Sequence, residues 1–188
     1  MPSVLEQNAV YLQSGNPDTE SDATLHAPGL IGARYTYTPS SRAAGAAAAR
    51  TRGYQIVQID PASGVANSKS GQPVYWVDRA TYKVGLAGGT TLNQVAGVVN
   101  NVSPKGNYVH IQQKGPCLVR ASDANVTAAV AGADNILGGA TDLGVLLAAG
   151  TAVTTLPLGT VAAPKVTDLT GGTGNQKVLV DLTIDPAP

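Results

Sequence analysis

Residues 95–121 constrain the fold more than any other stretch, because three short apolar runs are separated there by two clusters of turn-forming residues. The spacing predicts a β-meander. A strand over 95–100 leads through a polar loop at 101–107 into a second strand over 108–113, and Lys114, Gly115 and Pro116 are expected to reverse the chain into a third. In the second strand Val109 and Ile111 share one face, while Tyr108, His110 and Gln112 share the other. That alternation predicts a half-exposed strand whose His110 faces solvent or a neighbouring subunit. In the third, Cys117, Val119 and Ala121 are expected inside, with Leu118 and Arg120 outside.

The rest of the composition points the same way. Among 188 residues there are 22 Gly and 12 Pro, a turn-rich balance that suits short strands better than long helices. The apolar residues are mostly Ala, Val and Leu, with no Phe and one Trp, so seven Tyr supply most of the aromatic surface. The expected fold class is mainly β: a compact antiparallel β-barrel or β-sandwich over 53–188, preceded by an extended N-terminal arm over 1–52. Strands are predicted at 54–60, 73–78, 82–86 and 177–184. The last carries Val178, Val180, Leu182 and Ile184 on one face and is expected to close the sheet. Both faces of 73–78 are apolar, and Trp76 is read as a core residue rather than a sugar platform. Residues 124–149 fit neither period cleanly; short turns and strands are at least as compatible as a helix, and a hairpin around Gly150 is expected.

The arm divides by charge. Residues 1–33 carry Glu6, Asp18, Glu20 and Asp22 and no Lys or Arg, whereas 34–52 carry Arg34, Arg42, Arg50 and Arg52 and no acid. Tyr35 and Tyr37 alternate with Thr36 and Thr38, which reads as an extended segment. The Ala-rich stretch 42–50 is about two turns long if helical, and isolated helices of that length are marginal. It reads as a linker that is flexible or docked on a partner.

Composition also limits function. A formal net charge of zero argues against a nucleic-acid binder that neutralises many phosphates. The single Cys117 excludes an internal disulfide framework and a multi-thiolate zinc site. No run of about 18 apolar residues offers a membrane span, and no basic-then-apolar leader follows Met1, so a soluble, unexported chain is expected. His26 and His110 fit no metal-ligand spacing. A Cys117–His110 nucleophilic pair with Asp123 as orienter is opposed by the alternation, which sends the two side chains to opposite faces. The glycine-rich run before Lys177 fails as a phosphate loop: Gln176 precedes the lysine, Val178 follows it, and a strand rather than a helix comes next. No catalytic residue, metal or cofactor is therefore assigned.

The segments 96–99, 106–112 and 115–119 resemble a pattern found in small β-rich head proteins of tailed bacteriophages: a strand ending in GV, then GNY, an apolar and aromatic strand containing I-Q, and a glycine before the next strand. Val126, Thr127, Gly132 and Asp134 continue the likeness, which runs over residues 54–184 and leaves the arm outside. The resemblance implies a capsid decoration or cement protein. Such a protein is made in the host cytoplasm, sits on the outer capsid surface of the virion, bridges major capsid protein subunits and is often a homotrimer. Neither a nucleic-acid nor a membrane partner is implied. Arg34, Tyr35, Tyr37, Arg42, Arg50 and Arg52 are then candidates for contact with the shell, and Tyr108, His110 and Gln112 for contact with a sister subunit. The alternatives are another virion surface module that binds a receptor or sugar, and a small β-fold hydrolase.

Overall fold

A computed structural model of the chain describes residues 21–22, 30–37, 51–86, 95–120, 135–138, 144–147, 157–166 and 177–184. Among them there are eleven strands and no helix. In chain order these are β1 (Ser21–Asp22), β2 (Arg34–Tyr37), β3 (Arg52–Ile59), β4 (Gln72–Asp78), β5 (Lys83–Gly85), β6 (Val95–Val99), β7 (Tyr108–Arg120), β8 (Asn135–Gly138), β9 (Gly144–Leu147), β10 (Pro157–Val166) and β11 (Lys177–Thr183).

Five of them close a barrel. Around it β3 pairs with β5, β5 with β4, β4 with β6 and β6 with β7, and the pairing of β7 with β3 completes the ring. The β3–β5 pair is parallel and the other four are antiparallel. Closure satisfies each barrel strand on both edges. Val57, Ile59, Val74, Trp76, Val84, Leu86, Ala96, Val99, Val109 and Ile111 fill the interior. Trp76 is therefore core, meeting Tyr82 edge-on at 6.5 Å between ring centroids. Across β4 the apolar character is used unevenly, since Tyr75 is buried and Val77 lies exposed.

Within the β4–β5 turn the Asp78 carboxylate accepts hydrogen bonds from Thr81 Oγ1 at 2.6 Å and from the Ala80 amide at 2.9 Å. The Thr81 hydroxyl contributes most to holding the Asp78 pKa below its ordinary value of 3.8.

The strand β7 has 13 residues and belongs to two structures. Its first part, from Tyr108, lies in the barrel wall against β3. From Lys114 to Arg120 it pairs instead with β11, and an open antiparallel sheet continues from there in the order β11, β10, β8, β9. The expected reversal at Lys114, Gly115 and Pro116 does not occur, so residues 95–120 form one hairpin, β6 and β7, rather than three strands of a meander. A bulge and a bend absorb the turn signals. Gly53 pairs with Lys114 and Tyr54 with Gln112, leaving Gln113 as the extra residue. Gly115 then takes φ +83, and a Cβ there would stand 2.5 Å from the Thr51 carbonyl oxygen. The Gln112 amide holds the bend: its Nε2 donates to the carbonyls of Lys114 at 3.0 Å and Pro116 at 2.9 Å.

Other expectations are corrected in the same region. Strand β11 lies between β7 and β10, so it is interior to the sheet and does not close it. Its Val180, Leu182 and Ile184 are buried as the alternation predicts. Arg120, expected outside, is buried, with its backbone amide donating to the Gly71 carbonyl at 2.8 Å. The ambiguous stretch after residue 124 contains β8 and β9, which pair with each other. Residues 151–156 of the expected hairpin around Gly150, like Ala121, Asp123 and residues 126–134, lie outside the described residues.

Part of the predicted arm belongs to the sheet. The segment Arg34–Tyr37 pairs antiparallel with Arg52–Gln55 of β3, and Ser21–Asp22 pairs with Tyr108 and Val109 of β7. Leu30 is buried, and backbone bonds join Gly32 and Ala33 to Ile56.

Candidate functional site

The register of β3 against β7 decides which side chains reach the surface. Val57 stands opposite Val109 and Gln55 opposite Ile111 on the inner face; Ile56 stands opposite His110 and Tyr54 opposite Gln112 on the outer face. The sequence therefore divides the faces of β7 correctly, but its outer face is not exposed. His110 retains 4% of its surface and Gln112 none, so neither is available to a sister subunit in the way expected of them. Tyr108 is half-buried.

The cover over His110 comes from the arm. Tyr35 of β2 stacks on Tyr54 of β3 at 5.6 Å between centroids, with planes 17° apart. It also meets the His110 ring edge-on at 5.5 Å, and its hydroxyl is hydrogen-bonded to His110 Nδ1. A polar group buried this way must find a partner inside the fold, and Tyr35 supplies one.

Beside this stack β2, β3 and β7 frame a cleft of about 250 Å³ at the bend. Arg34, Tyr35 and Thr36 line it from β2, Gly53 and Tyr54 from β3, and Gln113 and Lys114 from β7. Arg34, Thr36 and Lys114 are exposed. The aliphatic stem of Lys114 crosses Gly53 closely, its Cβ 3.2 Å from where a Gly53 Cβ would stand, so the absent side chain is what admits the lysine. Gln113 forms the floor: its Nε2 donates to Gln55 Oε1 and to the Ala96 carbonyl, both at 2.9 Å. Two cations beside an aromatic wall suit contact with a carboxylate, while the Gln113 amide, with both N–H groups donated inside the fold, holds the floor in place. Among the described residues no carboxylate, thiol or imidazole lines the cleft.

Of the residues selected from sequence, the structure brings Arg34 and Tyr35 into this cleft and places Tyr37 and Arg52 opposite each other at the end of the β2–β3 pair. Arg42 and Arg50 lie outside the described residues. Sequence reasoning missed Lys114 and Gln113. The consecutive glutamines Gln112 and Gln113 break the alternation, and that is the signal for a bulge.

A second polar cluster lies behind the bend. Asn100 Nδ2 donates to Gln112 Oε1 at 3.1 Å, and the Cys117 thiol to Asn100 Oδ1 at 3.4 Å. Cys117 is buried within this cluster, whereas His110 bonds to Tyr35. Among the described residues no group of three or more His, Cys, Asp or Glu side chains is placed to hold a metal ion, and no helix is long and apolar enough to cross a membrane.

The chain matches no known protein family and no curated protein.

Proposed function

We propose that the protein is a non-enzymatic structural component of a bacteriophage virion that binds the outside of the capsid and stabilises it by bridging major capsid protein subunits, as a homo-oligomer. The observation that carries this reading is the make-up of the cleft at the β7 bend. It presents Arg34, Lys114 and the Tyr35–Tyr54 stack, residue types that anchor protein interfaces, and no carboxylate, thiol or imidazole among its described lining residues. The reading also draws on the resemblance carried by residues 96–119, which form the β6–β7 hairpin, with Gly115 inside β7 and not before a next strand. At the far end of the sheet β9 has one partner among the described strands, and an edge of that kind can pair with a neighbouring backbone.

Neither competing reading gains an equivalent observation. A sugar-binding module needs an open aromatic face, whereas Trp76 is buried in the barrel and the aromatic wall of the cleft is a half-buried Tyr35 backed by the buried Tyr54. A hydrolase needs a nucleophile paired with a base, and among the described lining residues no carboxylate, thiol or imidazole stands beside the Thr36 hydroxyl.

The test is co-sedimentation of the purified full chain with undecorated shells. Binding supports the reading, and a chain that stays in the supernatant overturns it. The truncation that accompanies this test has to respect β1 and β2: removing residues 1–20 spares both, whereas removing 1–52 deletes the tyrosine that covers His110.

A further inference from the structure

On the edge of β3 that faces away from β7, the three-residue β5 pairs only at Gln58 and Ile59. The arm takes the rest of that edge. Arg34–Tyr37 pairs with Arg52–Gln55, the Gly32 amide donates to the Ile56 carbonyl at 2.8 Å, and the Ile56 amide donates to the Ala33 carbonyl at 3.0 Å. The fit is specific in its side chains as well. Leu30 is buried, Gln55 Nε2 donates to the Gly32 carbonyl at 3.2 Å, and the Tyr82 ring lies so close over Gly32 that a Cβ there would stand 2.4 Å from it. The Tyr35 hydroxyl reaches His110, and β1, earlier in the same stretch, pairs with Tyr108 and Val109.

None of these contacts requires the arm and the barrel to belong to one chain. Tyr37 and Arg52 stand opposite each other, where a two-residue turn would join the strands, yet fourteen residues connect them. A connection of that length spans up to about 50 Å when extended. The docked contacts are the same whether the arm is the barrel's own or a neighbour's, so only the tether separates the two arrangements. It presents the arm to its own barrel at an effective concentration of order millimolar. Copies held at a higher local density than that favour exchange, and dilute copies do not.

We propose that the β3 edge is a docking site for a second copy of this chain: at high local density residues 21–37 of one copy leave their own barrel and dock along β3 of the next, in the same register. This gives the homo-oligomer of the reading above a definite joint. The experiment contains no shells, so its failure leaves shell binding standing.

The experiment is disulfide trapping in the full chain, with the buried Cys117 left in place and the unaltered chain as the blank. Opposite residues of an antiparallel pair have Cα atoms about 4.5–5.5 Å apart, within disulfide reach. Y37C/R52C in one chain is therefore expected to form an internal disulfide in a glutathione buffer, and a chain that does not overturns the docking from which exchange starts. Y37C and R52C on separate chains are then mixed from about 10 μM to about 5 mM, a range that crosses the effective concentration of the tether. A disulfide-linked heterodimer at least about tenfold more abundant at the top of the range is expected. G32V in the R52C chain unseats that chain's own arm and raises the yield, whereas G32V in the Y37C chain lowers it. Y35F, placed in the same two ways, repeats the comparison with a change that removes only the hydroxyl. A heterodimer no more abundant than that of a control pair, Y37C with V102C on the exposed β6–β7 loop, overturns the proposal, as does a yield that ignores which chain carries G32V or Y35F.

Discussion

The two parts of β7 use the same alternation to different ends. In the barrel wall both faces are covered: Val109 and Ile111 enter the core, and His110 and Gln112 on the other face are also buried. In the outer sheet Cys117 and Val119 are buried on one face, while on the other Leu118 lies exposed between the buried Pro116 and Arg120. The difference teaches where polar residues cost stability. A glutamine or histidine with a covered outer face has to be bonded internally, and Gln112 and His110 are. In the outer sheet the chain can leave even a leucine in water.

The largest expected effect comes from breaking the joint between the parts. Gly115→Val combines a positive φ with a Cβ that overlaps the Thr51 carbonyl, and a loss of about 4 kcal/mol is expected in urea unfolding. A loss below about 1 kcal/mol would mean that the bend is free to relax and that the two parts are not rigidly coupled.

Next is Gln112→Leu, which keeps the volume but leaves buried carbonyls at the bend and the Asn100 amide without this partner. About 3 kcal/mol of stability is expected to go, read from the urea midpoint. The matching change in the outer sheet, Leu118→Gln, serves as the control and is expected to stay within about 0.5 kcal/mol. Similar losses at the two positions would erase the contrast between the covered and open faces.

The smallest effect lies in the β4–β5 turn. The folded pKa of Asp78 is below its unfolded value, so the unfolded chain binds the proton more readily and the contribution is present above the ordinary value of 3.8. It fades as pH falls through the lowered folded value. Asp78→Asn is therefore expected to lower the urea midpoint slightly at pH 7, with the gap between variant and parent closing in strong acid. A gap that stays constant with pH would assign the effect to turn geometry and not to the carboxylate charge.

Much of this fold was legible in the sequence, and what was not has identifiable causes. Apolar runs bounded by turn residues located β3, β4 and β6, and period-two alternation located β11 and sorted Val109 and Ile111 from His110 and Gln112, because these patterns are properties of the strand alone. Exposure is not such a property. It depends on what the rest of the chain lays over a face, and nothing near His110 in sequence announces Tyr35, 75 residues away. Gly115 and Pro116 carry a turn signal that the fold spends on a bend within one strand, since the Gln112 amide caps the carbonyls a reversal would have freed. Half of the cleft was visible as the Arg34 and Tyr35 of an interface-like segment. Lys114 and Gln113 join them through a bulge whose register no local pattern fixes.

The most direct measurement of the account is the amount of protein that pellets with undecorated shells as its concentration is raised. A saturable curve with a fixed ratio of protein to shell subunits, weakened by R34E/K114E in an otherwise stable chain, is the predicted result. Protein that remains in the supernatant at every concentration, or that pellets without saturating, contradicts it.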